Sequence, residues 1–407
     1  MRDSLLDSRP VSDTSIQWDP YSIRCLNDPY RIFKRMREEA PVYYNDRFNF
    51  YAISRYDDCL EVLGDRDTYI SGDGGVLEMM GRGLTVPSGM FIYEDPPRHT
   101  IHRSLLTRVF TPKRMAALDA RIREFCAAAL DPLVEGGKLD FIEHLGSEMP
   151  MRVIGALLGI PDQDLKDAQR YIEERSRTEP GQQKEFSGES FVGSEYSSYV
   201  YSKLKSPSDD LISELLYVEY EDSDGQTKRL TPDEVMTFVA LLFGAGNETT
   251  NRLIGWTGKV LAEHPDQRRQ INENRALIPQ AIEELLRFEP PGWYVGRTTT
   301  KDVQFHGTTI PAGSILLALL AAANRDKDKF KDAETFDIHR ERQAHLTFGY
   351  GFHNCLGNAL ARVEGRIALE EILNRFPEWD VDLANARMAP ITSTRGWETL
   401  PAHVSKQ

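Results

Sequence analysis

The stretch Phe348-Gly349-Tyr350-Gly351-Phe352-His353-Asn354-Cys355-Leu356-Gly357 puts one thiol in a loop with three glycines among ten residues. Glycine at that density sets a backbone that other residues resist. A helical apolar stripe follows at once in Ala359, Leu360, Val363, Ile367 and Leu369, so Cys355 stands at a helix N-terminus. Unpaired N–H groups and the helix dipole favour an anion there. The expectation is a thiol of lowered pKa that readily becomes thiolate, the form that ligates metals. Thiolate is a soft ligand suited to iron, and the small residues let a flat ring approach the loop. A buried structural cysteine at a tight turn is the competing reading, because free cysteine is among the most buried residue types.

Three other groupings have residue types fit for chemistry. Leu241-Leu242-Phe243-Gly244-Ala245-Gly246-Asn247-Glu248-Thr249-Thr250 falls inside a long helical pattern. Each of its glycines costs that helix about 1 kcal/mol relative to alanine. Thr249 can back-bond the carbonyl four residues earlier, that of Ala245, and bend the helix into a groove holding a hydroxyl. Close packing against a second helix, with Glu248 in solvent, is the alternative. Glu284 and Arg287 are spaced i, i+3 before Phe288-Glu289-Pro290-Pro291. They make either a surface ion pair or a buried one. Glu284 borders the apolar arc of Ala281, Ile282, Leu285 and Phe288, so the helical wheel leaves both open. His99 and Arg103 are spaced i, i+4 after the helix start Asp95-Pro96-Pro97. They form either a solvated face or a donor site for carboxylates.

Together these stretches resemble the cytochrome P450 family. Phe348, Gly351, Cys355 and Gly357 match its cysteine signature, and His353 matches the bacterial form. Ala245, Gly246, Glu248 and Thr249 match its oxygen-binding helix, with Glu in place of the commoner Asp. Glu284 and Arg287 match its ExxR helix, and Arg340 the third member of that triad. The similarity runs from about Asp28 to the C-terminus.

The resemblance implies haem b (heme b, iron protoporphyrin IX) with Cys355 as axial ligand. Axial thiolate pushes electron density onto haem iron and favours O–O cleavage. It implies propionates held by His99, Arg103, Arg297 and His353, with Ala245, Phe348 and Gly357 also against the cofactor. It gives Thr249 the role of bonding the oxygen under activation, Glu248 that of relaying protons, and Glu284–Arg287–Arg340 that of bracing the cysteine loop. On this reading the chain is a monooxygenase that inserts one atom of O2 into a hydrophobic small molecule, such as a terpenoid, steroid or fatty compound. Leu241, Gly244, Trp293 and Val295 would line the pocket, with the loop 76–92 and the turn near Ser393–Thr394. No flavin or iron–sulfur sequence is present, so electrons would come from a ferredoxin and an NAD(P)H-dependent ferredoxin reductase. Arg103, Lys113, Arg114, Arg362 and Arg366 would form the basic docking patch. A peroxide-driven haem oxidase and a non-catalytic haem-binding sensor are the alternatives, and the intact Glu248-Thr249 pair speaks against both.

Positioning these residues takes many helices. Helical spacing predicts elements over 28–40, 55–63, 112–135, 145–159, 162–177, 231–263, 280–288 and 357–375, with another from Pro97. Strands are expected at 42–44, 48–53, 294–299, 302–305 and 308–318. Length alone suggests two or three domains. The resemblance replaces this with one large, mainly α domain carrying small β-sheets over 19–407, after a polar, mobile segment 1–18. The polar stretch 179–190 reads as a lid. A net charge of −14 argues against nucleic acid and against anionic membrane surfaces. The four cysteines form no CxxC pair. The N-terminus lacks a signal-peptide core, and the longest apolar run, 315–323, is about half a bilayer span. The expectation is a cytoplasmic protein without a membrane anchor.

Overall fold

Thr231 starts the element around which the rest is arranged. Its hydroxyl accepts the Glu234 N–H while the Glu234 carboxylate accepts the Thr231 N–H at 2.8 Å, and Pro232 fills the first helical position. This capping box satisfies two orphan donors at once. The helix then runs unbroken over Pro232–Glu263, 32 residues with apolar side chains buried on most faces. The computed structural model describes residues 16–165, 170, 177 and 194–405. The expected lid at 179–190 and most of the expected helix 162–177 lie outside the described residues.

The long helix crosses the 141–146 turn, the helix Met149–Leu158 and the cysteine helix Asn358–Arg375. The crossing is close: a Cβ at Gly258 would lie 2.7 Å from the Phe141 ring. The cysteine helix also packs on Asp119–Leu130 and on the Glu-Arg helix Ile278–Phe288. These helices share one large apolar core.

A five-stranded sheet stands beside them in the order Val42–Asn45, Phe50–Ile53, Ile315–Ala318, Val295–Thr299, Tyr69–Ile70. Ile315–Ala318 pairs parallel with Phe50–Ile53, Leu317 opposite Ala52, and antiparallel with Val295–Thr299, Leu316 opposite Arg297. The sheet separates two smaller cores, one of them aromatic and built on Trp18, Phe33, Phe50 and Trp293. Trp18 is only 1% exposed and belongs to this packed core. The rest of 1–15 lies outside the described residues.

The expectation of a mainly helical domain with small sheets holds. Two of its elements are cut. The pattern over 112–135 breaks into Pro112–Ala116, Asp119–Leu130 and a short turn. The pattern over 308–318 breaks at Pro311-Ala312-Gly313, where Gly313 takes φ +77°. Amphipathic spacing did not mark the helices Ser197–Lys205, Leu211–Tyr217 and Pro265–Glu273, nor the C-terminal strands Glu378–Val381 and Pro401–Ser405.

Candidate active site

A cavity of about 390 Å³ lies between the long helix and the cysteine loop. Leu241, Leu242, Ala245, Gly246, Thr249 and Thr250 face it, in the three-and-four spacing that one side of a helix presents. Opposite them stands Cys355. Its N–H donates to the Phe348 carbonyl at 2.7 Å, which closes the loop on itself. Gly351 takes φ +70°, and a Cβ there would lie 2.8 Å from the Leu63 carbonyl oxygen, so the tight loop requires glycine twice over.

The Cys355 thiol is exposed, but to the cavity and deep in the protein. Burial therefore pushes its pKa up, against the Gly357 N–H and the Arg103 and Arg362 charges, which pull it down. This corrects the expectation of a lowered pKa. The helix-end donors are present, yet desolvation of the anion outweighs them until a cation shares the site.

A cluster of nitrogen donors flanks the thiol. The His99 and His353 rings lie 4.2 Å apart. Neither His99 nitrogen, nor His353 Nε2, nor Arg297 Nε has a hydrogen-bond partner among the described residues, although all are buried. Burial, with Arg103 next, drives His99 down to about 4. Burial, with Arg297 next, drives His353 to about 2. Burial lowers Arg297 to about 10. Arg103 donates to the Asn354 carbonyl. Buried polar groups are normally paired. Four such groups crowded together, none hydrogen-bonded to a carboxylate among the described residues, fit a ligand that brings carboxylates, as the two propionates of haem do. Arg103, Arg297, His353, Phe348 and Gly357 are on the cavity wall, whereas His99 packs behind Phe352 and His353.

Thr249 Oγ1 donates to the Ala245 carbonyl at 2.8 Å, the back-bond its spacing predicts. Glu248 does not join it on the wall; its carboxylate accepts from Arg252 Nη2 at 3.1 Å. Two pocket expectations are corrected. Gly244 lies off the wall, with open space where its Cβ would be, and Gly246 lines the cavity instead. Trp293 is fully buried in the aromatic core and donates to the Thr392 carbonyl. Its neighbour Tyr294 reaches the cavity. Leu241, Val295, Val76, Phe91, Ser393 and Thr394 are on the wall.

One acidic wall residue escaped the sequence reading. Glu364 is 1% exposed, and its carboxylate accepts from the Thr250 hydroxyl at 3.0 Å. Burial raises its pKa to about 8, so it is mostly protonated at neutral pH. The available signal was an acid four residues after Leu360 and three before Ile367, inside the apolar stripe.

Behind the cysteine loop the Glu284–Arg287 pair is 2% exposed on each side chain, with N···O distances of 2.7 Å. Arg340 Nε adds bonds of 3.0 and 3.1 Å to the same carboxylate. Arg287 also holds the Asn324 carbonyl, while the Asn324 side chain accepts from Leu346 N–H and donates to Thr347. The triad thereby reaches the residues that enter the loop. On the outer side of that loop, Arg362 pairs with Glu283, Arg366 with Asp119 and Glu370, and Arg114 with Glu214. The expected basic patch is thus laced with carboxylates.

The cytochrome P450 family model matches residues 168–392, which include the cysteine loop. The chain belongs to the cytochrome P450 family. It is 34% identical over 402 residues to putative cytochrome P450 123 of Mycobacterium tuberculosis, covering 97% of this chain and 98% of that one. The solved structure of cytochrome P450 CYP109Q5 from Chondromyces apiculatus superposes with a TM-score of 0.85 at 32% identity, over 96% and 99% of the two chains. CYP109E1 from Bacillus megaterium, solved with testosterone, gives 0.83 at 28% identity over 94% and 99%. The fold is that of a cytochrome P450, and the protein is a P450 monooxygenase. Among the described residues no helix is long and apolar enough to cross a membrane.

Proposed function

We propose that the chain binds haem b through Cys355 and hydroxylates, or similarly oxidises, a neutral lipophilic molecule. The observation that carries this reading is one cavity-facing thiol beside four clustered nitrogen groups, none of them hydrogen-bonded to a carboxylate among the described residues. Cys355 would ligate the iron, and His99, Arg103, Arg297 and His353 would hold the propionates. Bound haem supplies the oxygen-activating chemistry; the protein supplies binding, orientation and electrostatics. Thr249 holds a hydroxyl at the cavity edge, and Glu248, adjacent in sequence with its carboxylate on Arg252, is the relay acid. The two arginines on the wall are engaged by propionates, which leaves mainly Leu, Ile, Val and Phe side chains to meet the substrate. That lining supports a terpenoid, steroid or fatty compound without charge.

Electrons come from a ferredoxin and its NAD(P)H-dependent reductase in the cytoplasm, on the Arg362–Arg366 side. Reversing both residues to Glu slows ferredoxin-driven reduction at low salt, and unchanged rates reject that docking face.

A CO difference spectrum of the reduced protein tests the ligand. The thiolate-type band is expected from the wild type and absent from Cys355→Ala. A panel of lipophilic compounds scored by low-to-high-spin shift finds the substrate class. Turnover with O2, ferredoxin, reductase and NAD(P)H separates a monooxygenase from a peroxide-driven oxidase and from a sensor. Thr249→Ala should uncouple oxygen use from product; wild-type coupling would remove Thr249 from the reaction.

A further inference from the structure

Three stretches far apart in sequence meet at one corner of the cavity. Thr392 Oγ1 donates to the buried Glu78 carboxylate, and the Thr392 carbonyl accepts from Trp293 Nε1 at 2.5 Å. Thr394 pairs with Gly292 in an antiparallel bridge, and the Arg395 N–H donates to the Pro291 carbonyl at 2.7 Å. The Leu77 N–H donates to the Tyr294 hydroxyl at 3.4 Å. The turn at 392–394 is thus held by 77–78 on one side and by 291–294 on the other, and presents its side chains on a fixed backbone.

That corner carries hydroxyls that the fold itself does not use. Ser393 is half-buried on the cavity wall, and its hydroxyl has no hydrogen-bond partner among the described residues. Thr394 is on the wall too, 9% exposed, and its Oγ1 is buried without a partner among the described residues. Rotation about one bond exchanges that hydroxyl with the methyl group. Tyr294 accepts from Leu77, which leaves its own O–H to donate. Burial, with Glu78 next, holds its pKa well above the ordinary value, so the proton stays. Buried polar groups are normally paired, because an unmade hydrogen bond costs the desolvation of the group. The turn's own bonds run through Thr392 and the backbone, so these hydroxyls are left for a ligand.

Their chemistry narrows that ligand. A hydroxyl both donates and accepts, which suits a neutral oxygen, as in a ketone or an alcohol. A carboxylate is poorly served. The one cation among residues 77–78, 291–294 and 391–395 is Arg395, and its guanidinium is engaged by Glu289 and by the carbonyls of Leu26 and Asn27. Glu78 adds an acid to the corner. We propose that Ser393, Thr394 and Tyr294 form a polar subsite for a hydroxyl or carbonyl oxygen of the substrate, so that the lipophile oxidised here already carries one oxygen. The inference rests on the reading of the cavity as a haem-bearing site for lipophiles. Anchoring one oxygen of a rigid frame also restricts which carbon is presented for oxidation.

The test measures dissociation constants of the holoenzyme by spin-state shift for matched compounds: a monoterpene ketone, a steroid ketone and a long-chain ketone, each beside its parent hydrocarbon, with the long-chain fatty acid as the anionic member. The wild type should bind at least one ketone about tenfold more tightly than its hydrocarbon, the scale of one or two neutral hydrogen bonds. The near-isosteric variants Ser393→Ala, Thr394→Val and Tyr294→Phe should each reduce that ratio by about two- to tenfold. The products formed from the ketone should become more mixed in the same variants. Their CO difference spectra should match the wild type, which keeps the haem reading separate from this one. A ketone preference that survives in all three variants, or none in the wild type, overturns the proposal. So does tightest binding of the fatty acid. If no compound shifts the spin state while the CO spectrum is that of thiolate-bound haem, the haem assignment stands, and the lipophile reading fails with the proposal.

Discussion

The Thr250 hydroxyl donates a 3.0 Å hydrogen bond to the Glu364 carboxylate, joining the long helix to the cysteine helix on the cavity wall. The two residues are 114 positions apart. Thr250 lowers the pKa of this acid, but burial raises it more, to about 8.

That balance makes stability depend on pH. The folded state binds the Glu364 proton more tightly than the unfolded chain, whose carboxyl titrates near 4.3. The contribution is therefore complete below about pH 4 and is lost as pH rises through about 8. Thermal unfolding at pH 6 and pH 9 should show a wild-type loss of stability that Glu364→Gln largely abolishes, because the amide stays neutral and can still accept from Thr250. Equal losses in both proteins would mean that Glu364 is already ionised at pH 6.

Breaking the Glu284–Arg287–Arg340 triad leaves a charge buried without its partner. Arg287→Leu should cost about 3–5 kcal/mol, read from denaturant unfolding. Arg340 is only 11% exposed but lies nearer the rim, so Arg340→Leu should cost less. Haem retention should fall with Arg287→Leu as well, because Arg287 fixes Asn324 and Asn324 fixes the entry to the cysteine loop.

Gly351→Ala should destabilise that loop by about 1–3 kcal/mol, the cost of holding a side chain in a sparsely populated backbone region, with the Leu63 carbonyl clash in addition. Gly244→Ala, facing open space within the helix, should instead raise stability by up to about 1 kcal/mol. Opposite signs in thermal unfolding are the expected result.

Trp293 and Tyr294 should separate stability from ligand binding. Trp293→Phe removes the donor to a buried carbonyl and should cost about 1–3 kcal/mol of stability while leaving lipophilic ligand affinity alone. Tyr294→Ala should shift the dissociation constant for a spin-state ligand by about tenfold, which is ~1.4 kcal/mol. Matching effects of the two variants on affinity would contradict the cavity wall described above.

Local spacing was enough to reveal the linear part of this site. Cys355 before a helical stripe, the Thr249 back-bond to Ala245 and the Glu284–Arg287 pair all depend on residues at most a turn or two apart. Helix geometry alone brings such groups together. Arg340 and the cluster of His99, Arg103, Arg297 and His353 were legible only through family resemblance, because nothing local ties Arg297 to His99.

Tertiary structure decided what depends on dielectric and on distant chain. The helix N-terminus suggests a lowered thiol pKa, yet burial reverses the sign, and no sequence window measures burial. Glu248 was expected at the oxygen site but answers to Arg252 and to Trp397, which is 145 residues from Arg252. Trp293 turns into the aromatic core while Tyr294 reaches the cavity, because aromatic residues distant in sequence decide which way this segment faces. Glu364 was invisible because a single acid in an apolar stripe acquires meaning only from the cavity and hydroxyl that a second helix brings to it.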